Sequence, residues 1–243
     1  MSNEKNTKSD EEIRNEVAKS MIFSKEGNLD EMCDSFDSIV KEWKEDELRI
    51  PEEAIKDLCT DKYKSQTDIN GVIAKISIIN QIYSTRVKNI DTYWLAKHIT
   101  NNGEKLEKYI FSDNEKQRIE AVQIIANSKY SSEDLSDERI SQMNDHYSFA
   151  TKYCSFHNPD KFPIYDGYMC AIVKSNWNNL SKKIFKKKGD IENIEFYENF
   201  CESMGRLKEI FSKELGENIS AKKFDQFLWL YLKNKIKLLK EQE

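Results

Sequence analysis

One carboxylate stands out among the side chains of this sequence that could do chemistry. Asp166 follows the apolar run Phe162-Pro163-Ile164-Tyr165 and precedes Gly167-Tyr168, where a proline-bounded loop gives way to a helix. A carboxylate in that place can stabilise positive charge that develops on a substrate, or activate a water molecule. Asp is also a favoured N-cap residue, so the same position is typical of a side chain that only starts a helix. The sequence leaves both roles open.

Other side chains near this carboxylate could contact a substrate. An amine such as that of Lys152 can act as a nucleophile or bind a phosphate, and His157 can exchange a proton near neutral pH. Tyr165 and Tyr168 flank Asp166 and offer aromatic faces on which a nucleobase can stack. Each also has a structural role open to it, as a lysine at a helix edge, a histidine that ends a helix, or a core aromatic.

A basic run follows within the segment LSKKIFKKKGD. Clustered cations neutralise the phosphates of nucleic acid, so this run is the candidate phosphate-binding track. The alternative is a solvated helix end at which cations interact with the helix dipole. The candidate residues are Lys182, Lys183, Lys186, Lys187 and Lys188.

The elements that must position these residues are predicted to be helices. The 243 residues include only 7 Gly and 3 Pro, and 33% are charged, a composition that favours helices over hairpins and predicts an all-α fold. The length allows one domain or two small ones. Residues 1–10 are polar without apolar periodicity, which predicts a flexible tail.

Cap residues and apolar spacing divide the rest of the chain into short helices. TDINGVIAKISIINQIYSTR predicts a central buried helix that begins at Thr67 or Asp68, and Gly103 is predicted to end the next helix. SSEDLSDERISQMN predicts a capped helix over 131–144, and Ser220 is predicted to cap a long C-terminal helix. The Asp166 region reads as a helix over 147–157, a loop, and a helix to about residue 175. Short capped helices in series predict an orthogonal bundle.

Several classes of protein are disfavoured. The five cysteines contain no C-x-x-C pair, and with three histidines they give no zinc or iron–sulfur ligand spacing, so we predict no metal and no other cofactor. No signal peptide or apolar run of membrane length is present, which predicts a protein of the reducing cytoplasm with no membrane partner. A net charge of −5 argues against a uniformly basic nucleic-acid binder, although charge can still be concentrated locally.

The order of motifs from Ile69 to Lys174 resembles that of the helix-hairpin-helix (HhH-GPD) DNA glycosylase superfamily, whose members include endonuclease III and the 8-oxoguanine glycosylases. In that family a helix containing an alanine leads, through a proline loop, to a catalytic aspartate at the start of the next helix. Here Phe149-Ala150-Thr151 is followed by Pro163 and by Asp166, which lies 16 residues after Ala150, a separation similar to that of the family. The resemblance implies that Asp166 is the catalytic carboxylate.

A second motif of the family is a turn after the buried helix, whose amide side chain fills the hole left by a flipped base. The segment IINQIYSTR resembles that turn, which implies this role for Gln81 and, as second candidate, Asn80. A polar wedge that hydrogen-bonds the orphaned partner base offsets part of the cost of unpairing. Tyr165 or Tyr168 would then stack on the extruded base.

The family's hairpin is where this chain departs from the pattern. The family has Gly-Val-Gly-x-Lys where this chain has Asn144-Asp145-His146-Tyr147-Ser148, with no glycine and no lysine. Ser148 cannot form the Schiff base that the family's lysine forms in bifunctional members, so the implied reaction is monofunctional. Ser148 and His157 are predicted instead to contact the base. Lys152, one helical turn after Ser148, is the alternative nucleophile or phosphate contact.

The resemblance implies a two-lobed orthogonal helical bundle with Asp166 in the cleft. The expected lobes are 11–66 with 190–243, and 67–189. The expected activity is hydrolysis of the N-glycosidic bond of a damaged or modified base, with duplex DNA as the partner, in a setting of DNA repair or phage defence. Two alternatives remain open: a catalytically silent DNA- or protein-binding module of the same fold, and an enzyme that acts on free nucleosides or nucleotides.

Overall fold

The structure, a computed structural model, describes residues 9–47, 49–128, 146–176, 180 and 195–242. Within these ranges it contains eleven α-helices, one π-helical turn and no β-strand, which confirms the all-α prediction. None of the described helices is long and apolar enough to cross a bilayer. The helix predicted over 131–144 and the five lysines of the basic run lie outside the described residues.

The helices follow one another through short connections. Their bounds are α1 (Asp10–Ser20), α2 (Leu29–Glu45), α3 (Arg49–Asp57), the π-helical turn π1 (Leu58–Lys62), α4 (Ile69–Tyr83), α5 (Asn89–Asn101), α6 (Gly103–Ile110), α7 (Glu115–Ala126), α8 (Tyr147–His157), α9 (Gly167–Ser175), α10 (Glu195–Leu215) and α11 (Ala221–Gln242).

Polar side chains start several of these helices where the sequence predicts them. Asp68 caps α4 by accepting a hydrogen bond of 3.1 Å from the amide of Asn70. Ser220 caps α11 by accepting one of 3.2 Å from the amide of Lys223. Gly216, at φ +72°, ends α10 in the left-handed conformation that glycine adopts without steric cost.

Gly103 does not end a helix with a loop, as the sequence predicts, because α6 begins at this residue. α6 was not predicted. The structure gives a different reason for the glycine: a Cβ at this position would lie 2.7 Å from Cγ2 of Thr67 and 2.8 Å from the backbone oxygen of Gln66. Close approach of the 66–67 segment therefore requires glycine here.

The chain forms two compact units, residues 1–45 with 166–243 and residues 46–165. The chain passes from one unit to the other at 45/46 and 165/166, whereas the sequence predicted boundaries at 66/67 and 189/190. α3 and π1 belong with residues 46–165 because both pack against α8, and α3 also packs against α4. α9 belongs to the discontinuous unit because it packs against α1, α10 and α11.

Aromatic rings form the core of the discontinuous unit. Phe211 lies at the centre, with ring centroids 5.6 Å from Phe36, 5.0 Å from Phe227 and 5.5 Å from Phe224. Asn176, at the end of α9, accepts a hydrogen bond of 2.8 Å from the amide of Phe23. This bond fixes the segment after α1 against the helix that Asp166 starts.

α8 is the most enclosed helix of the unit formed by residues 46–165. All residues from Phe149 to His157 are buried, and the helix packs against α4, α7, α3 and π1. A helix buried on all sides carries its polar side chains into the interior, where each needs a hydrogen-bond partner. Lys152 and His157 are two such side chains.

Candidate functional site

Asp166 starts α9, and its carboxylate holds the first turn of that helix. Oδ1 accepts hydrogen bonds from the amides of Tyr168 and Met169, at 2.9 and 3.0 Å. Oδ2 makes no hydrogen bond with any described residue, and the side chain is half-buried. The capping role that the sequence left open is therefore present, and it engages only one of the two carboxylate oxygens.

Arg14 of α1 lies beside the residues that follow Asp166. Its guanidinium stacks on the ring of Tyr168, 4.4 Å from the ring centroid. A Cβ at residue 167 would lie 2.5 Å from Nη1 of Arg14, so Gly167 leaves the space that the guanidinium occupies. Tyr168, a predicted base-stacking residue, is thus packed against a cation in this structure.

A hydrogen bond ties the end of the loop before Asp166 to α8. The amide of Tyr165 donates to Oγ1 of Thr151 over 3.1 Å. Thr151 is fully buried, whereas the side chain of Tyr165 is half-buried. The anchor fixes the end of the Phe162-Pro163-Ile164-Tyr165 run and leaves part of the Tyr165 side chain accessible.

Ser148 and Lys152, predicted from the family's hairpin, are brought together one turn apart on α8. Nζ of Lys152 donates to Oγ of Ser148 over 3.0 Å and lies 5.7 Å from the ring centroid of Tyr83. Lys152 is only 3% exposed, and Ser148 is half-buried. Tyr83 in turn donates to Oε1 of Glu52 over 2.6 Å. The amine is therefore buried and hydrogen-bonded rather than a solvated group at a helix edge.

His157, predicted as a proton-exchanging residue, belongs to a buried polar network that the sequence did not reveal. We call it the Gln66 cluster; its members are Gln66, Lys75, Tyr153 and His157, and each is at most 3% exposed. Oε1 of Gln66 accepts from the hydroxyl of Tyr153 at 2.5 Å and from Nζ of Lys75 at 3.0 Å. Nε2 of Gln66 donates to the backbone oxygen of Lys64 at 2.8 Å.

The contacts of Lys75 fix the proton positions of this cluster. Nζ of Lys75 donates to the backbone oxygen of Ser65 at 3.1 Å and lies 3.4 Å from Nε2 of His157. Nε2 of His157 also lies 3.2 Å from Nε2 of Gln66. Both neighbours can only donate, so Nε2 of His157 is the acceptor and its proton sits on Nδ1. That Nδ1 is buried and makes no hydrogen bond of normal geometry with the described residues.

Burial governs the charges in the Gln66 cluster. It lowers the pKa of Lys75 to about 8, although Cys59, Glu107 and Asp68 act in the opposite direction. Burial and the charge of Lys75 lower the pKa of His157 to about 3, so this imidazole is neutral at neutral pH. Burial also raises the pKa of Tyr153 well above its ordinary value. One ammonium is thus held by neutral acceptors inside the protein.

A signal for Lys75 was present in the sequence. Val72, Ile76 and Ile79 form the buried stripe of α4, and Lys75 lies on the same stripe by helical spacing. A charged residue on an apolar stripe indicates a buried polar group that needs partners. Its partners come from a loop and from α8, and their identity depends on the tertiary fold.

Gln81 and Asn80, the predicted duplex-plug residues, differ in their surroundings. Gln81 is exposed at the end of α4. Both ends of the Asn80 amide are engaged, because Nδ2 donates to the backbone oxygen of Val87 at 2.8 Å and Oδ1 accepts from the amide of Val87 at 3.1 Å. Asn80 therefore closes the turn between α4 and α5, and Gln81 is the accessible amide of the two.

Metal-ligating side chains do not gather in the parts of the chain that the structure describes. No group of three or more His, Cys, Asp or Glu side chains in those parts could hold a metal ion. The cysteines are all free thiols, and Cys59 and Cys154 are buried. Burial raises the pKa of Cys59 to about 12, so this thiol is protonated at neutral pH.

Comparison with known proteins places the chain in a family. Residues 29–161 match the family described as HI_0787_N, N-terminal domain. An uncharacterized protein of Haemophilus influenzae is 33% identical over 165 residues, which cover 68% of this chain and 67% of that protein. No solved structure matches the chain. The matched residues include the whole Gln66 cluster and end five residues before Asp166. Because they make up more than half of the sequence, the chain belongs to the HI_0787_N family.

Proposed function

We propose that the protein hydrolyses the N-glycosidic bond of a damaged or modified base in DNA, with Asp166 as the catalytic carboxylate. The observation that carries the proposal is the state of this side chain at the start of α9. Two backbone amides hold Oδ1, and Oδ2 makes no hydrogen bond with the described residues. A carboxylate fixed by one oxygen is preorganised, so the other oxygen can act on a substrate without further ordering.

Asp166 contributes to the reaction through its negative charge and through Oδ2. When the glycosidic bond breaks, its electron pair leaves with the base and positive charge builds at C1′ of the sugar. The negative charge of Asp166 stabilises that cation, and Oδ2 accepts a hydrogen bond from the water that attacks C1′. The water gives a proton to Oδ2 as the new C–O bond forms, and the departing base takes up a proton from solvent, so the products are the free base and an abasic sugar.

Two other residues have separate roles in this proposal. The exposed amide of Gln81 hydrogen-bonds the base left without a partner, and the half-buried ring of Tyr165 stacks on the extruded base. Lys152 is assigned no covalent step. Its amine is 3% exposed and bonded to Ser148, which supports hydrolysis rather than a Schiff-base reaction.

Incubation with defined substrates tests the proposal. The wild-type protein and Asp166→Asn are each incubated with duplex oligonucleotides that carry a panel of damaged or modified bases, and with free nucleosides. Released base is measured by liquid chromatography and mass spectrometry. We expect release from at least one duplex, and loss of that release in Asp166→Asn, because Asn preserves the helix cap but removes the charge.

Other outcomes point to the alternative functions. Cleavage of free nucleosides without release from DNA would favour an enzyme of nucleoside metabolism. Absence of release from every substrate would contradict the proposal and favour a binding module, in which Asp166 only caps α9. Equal release by the wild type and Asp166→Asn would assign the chemistry to another residue.

A further inference from the structure

Arg14, on α1, places a half-buried positive charge next to the residue that follows Asp166. Its guanidinium lies over the ring of Tyr168, 4.4 Å from the ring centroid, and its Nη1 occupies the space beside Gly167. Nε of Arg14 is buried and makes no hydrogen bond with the described residues. A buried donor of this kind costs free energy until a ligand or another group accepts a hydrogen bond from it.

The charges of Arg14 and Asp166 are not joined by a hydrogen bond. Oδ1 of Asp166 accepts from the amides of Tyr168 and Met169, and Oδ2 makes no hydrogen bond with the described residues. The ring of Tyr168 contacts the face of the guanidinium, which leaves the N–H donors in the guanidinium plane available for bonds. The start of α9 therefore presents a negative and a positive group that can act on different parts of one ligand.

The proposed reaction calls for this pairing of charges. Positive charge builds at C1′ of the sugar, and the phosphodiesters that flank the same sugar carry the nearest negative charges of a nucleic acid. A guanidinium binds two oxygens of one phosphate through a pair of its N–H donors. A free nucleoside has no phosphate, so a cation in this place favours a nucleotide that belongs to a strand.

We propose that Arg14 binds a phosphodiester next to the target nucleotide and thereby fixes the sugar of that nucleotide against Asp166. The inference rests on the proposed glycosylase function and names the part of the substrate that distinguishes nucleic acid from a free nucleoside. Tyr168 orients the guanidinium, and Gly167 leaves the space that the guanidinium needs. Arg14 is a binding residue and takes part in no bond that forms or breaks.

Removal of single phosphate charges from DNA tests this inference. The probe is an oligonucleotide duplex with a tetrahydrofuran abasic analogue, in which a neutral methylphosphonate replaces one phosphodiester at a time on either side of the analogue. The affinity of each duplex for the wild type and for each variant is measured by fluorescence anisotropy. Arg14→Met removes the charge but keeps an unbranched side chain over Tyr168. Lys19→Met is the matched control, because Lys19 is an exposed cation on the same helix.

We expect one methylphosphonate position next to the analogue to lower the affinity of the wild type by about tenfold, the loss of a charge-assisted hydrogen bond. The same position should have no effect in Arg14→Met, because the partner charge is already absent. Lys19→Met should keep the tenfold loss. Gly167→Ala should abolish it although Arg14 is still present, because the added Cβ would lie 2.5 Å from Nη1 and the flexible guanidinium must move away. Melting curves show whether each variant is folded.

The outcomes separate this inference from the function on which it rests. If the wild type binds the duplex and every methylphosphonate has the same effect on the wild type and on Arg14→Met, the inference is overturned and the glycosylase proposal stands. If Lys19→Met abolishes the effect as Arg14→Met does, the loss reflects overall charge and the Arg14 contact is excluded. If the wild type binds no duplex, both proposals are overturned.

Discussion

Burial of Lys75 makes the stability of the folded protein depend on pH. Its ammonium has three hydrogen-bond acceptors within 3.4 Å, namely a backbone oxygen, an amide oxygen and an imidazole nitrogen. All three are neutral, so they satisfy the donors without repaying the full cost of removing the charge from water. The folded protein therefore holds this proton less tightly than the unfolded chain does.

The variant Lys75→Met tests this consequence. Because the pKa of Lys75 is about 8 in the folded protein and 10.5 for a solvated lysine, the unfolded chain binds more protons between these values. Stability of the wild type relative to Lys75→Met should rise as pH increases from 8 to 10.5, by at most about 3 kcal/mol. Urea unfolding at pH 7, 8, 9 and 10 measures the difference. A constant difference across this range would show that Lys75 titrates normally.

His157 makes the stability of the folded protein depend on pH in the acidic range. Its pKa is about 3 in the folded protein and 6.5 for a solvated histidine, so the unfolded chain binds more protons between pH 6.5 and pH 3. Relative to His157→Gln, the wild type should lose stability as pH falls through this range, by several kcal/mol and at most about 5 kcal/mol. Denaturant unfolding of both proteins at pH 7, 5 and 4 measures the loss. Parallel curves would mean that His157 is solvated and titrates freely.

For single residues, the sequence predicted roles that follow from neighbours along the chain. It missed roles that depend on a contact made only in the tertiary fold. The cap role of Asp166 was predicted because a cap position follows from the proline loop and the next helix. Lys152 was selected as a candidate by its spacing from Ser148, but its burial was not predicted, because burial depends on the helices that enclose α8. The Gln66 cluster joins a loop, α4 and α8, and no local pattern specifies that meeting.

At the scale of elements, close approach decides where glycine is needed. Gly103, at the start of α6, lies against the backbone of Gln66, where a Cβ would be 2.8 Å from the oxygen. Gly205, inside α10, has no atom within 4 Å of the same added carbon. The two glycines therefore have opposite predicted responses to alanine.

Alanine at the two positions forms a matched pair. Gly103→Ala should destabilise the protein by about 1–3 kcal/mol, because the backbone of Gln66 must shift and the Gln66 cluster shifts with it. Gly205→Ala should stabilise it by about 0.5–1 kcal/mol, because alanine restricts the unfolded chain and favours the helix. Thermal melting with denaturant midpoints measures both. Equal effects of the two variants would contradict the close approach at Gly103.

The sequence predicted how helices begin better than how they pack. Asp68 and Ser220 start helices where their side chains predict, because capping is a contact within one turn. The sequence did not predict α6, because Gly103 is typical of a residue that ends a helix. The glycine is needed instead because Thr67 and Gln66 lie close to it, and that contact is tertiary. The positive φ angles of Ser84 and Arg86, between α4 and α5, were not predicted either, since Ser and Arg rarely adopt positive φ.

At the scale of the whole molecule, the first helices and the last ones share one core. Residues 1–45 join residues 166–243 in a single unit although they are far apart in sequence. Phe23 carries part of this connection, with its ring centroid 6.3 Å from that of Phe211 and 6.1 Å from that of Phe224. The sequence predicted a lobe made from both ends of the chain, but the contacts that place its boundaries are long-range.

Truncation of Phe23 tests this connection. Phe23→Ala should cost about 3–5 kcal/mol and should expose α1, α10 and α11 to hydrogen exchange together, because one core serves all three. Phe111→Ala is the matched control, since Phe111 is 49% exposed and its loss should change stability by about 0.5 kcal/mol or less. Protection lost only near α1 would show that the N-terminal helix is not part of the shared core.

The proposed activity depends on the negative charge of Asp166, and a pair of Asp→Asn variants separates that charge from the helix cap. Asp166 and Asp68 both cap helices through backbone amides, and asparagine preserves a cap in each case. The measurement is the single-turnover rate of base release, on a duplex from which the wild type releases a base. We predict that Asp166→Asn lowers this rate by about 100-fold or more and that Asp68→Asn leaves it within about twofold. Equal rates for the two variants would contradict the account, because Asp166 would then be a helix cap alone.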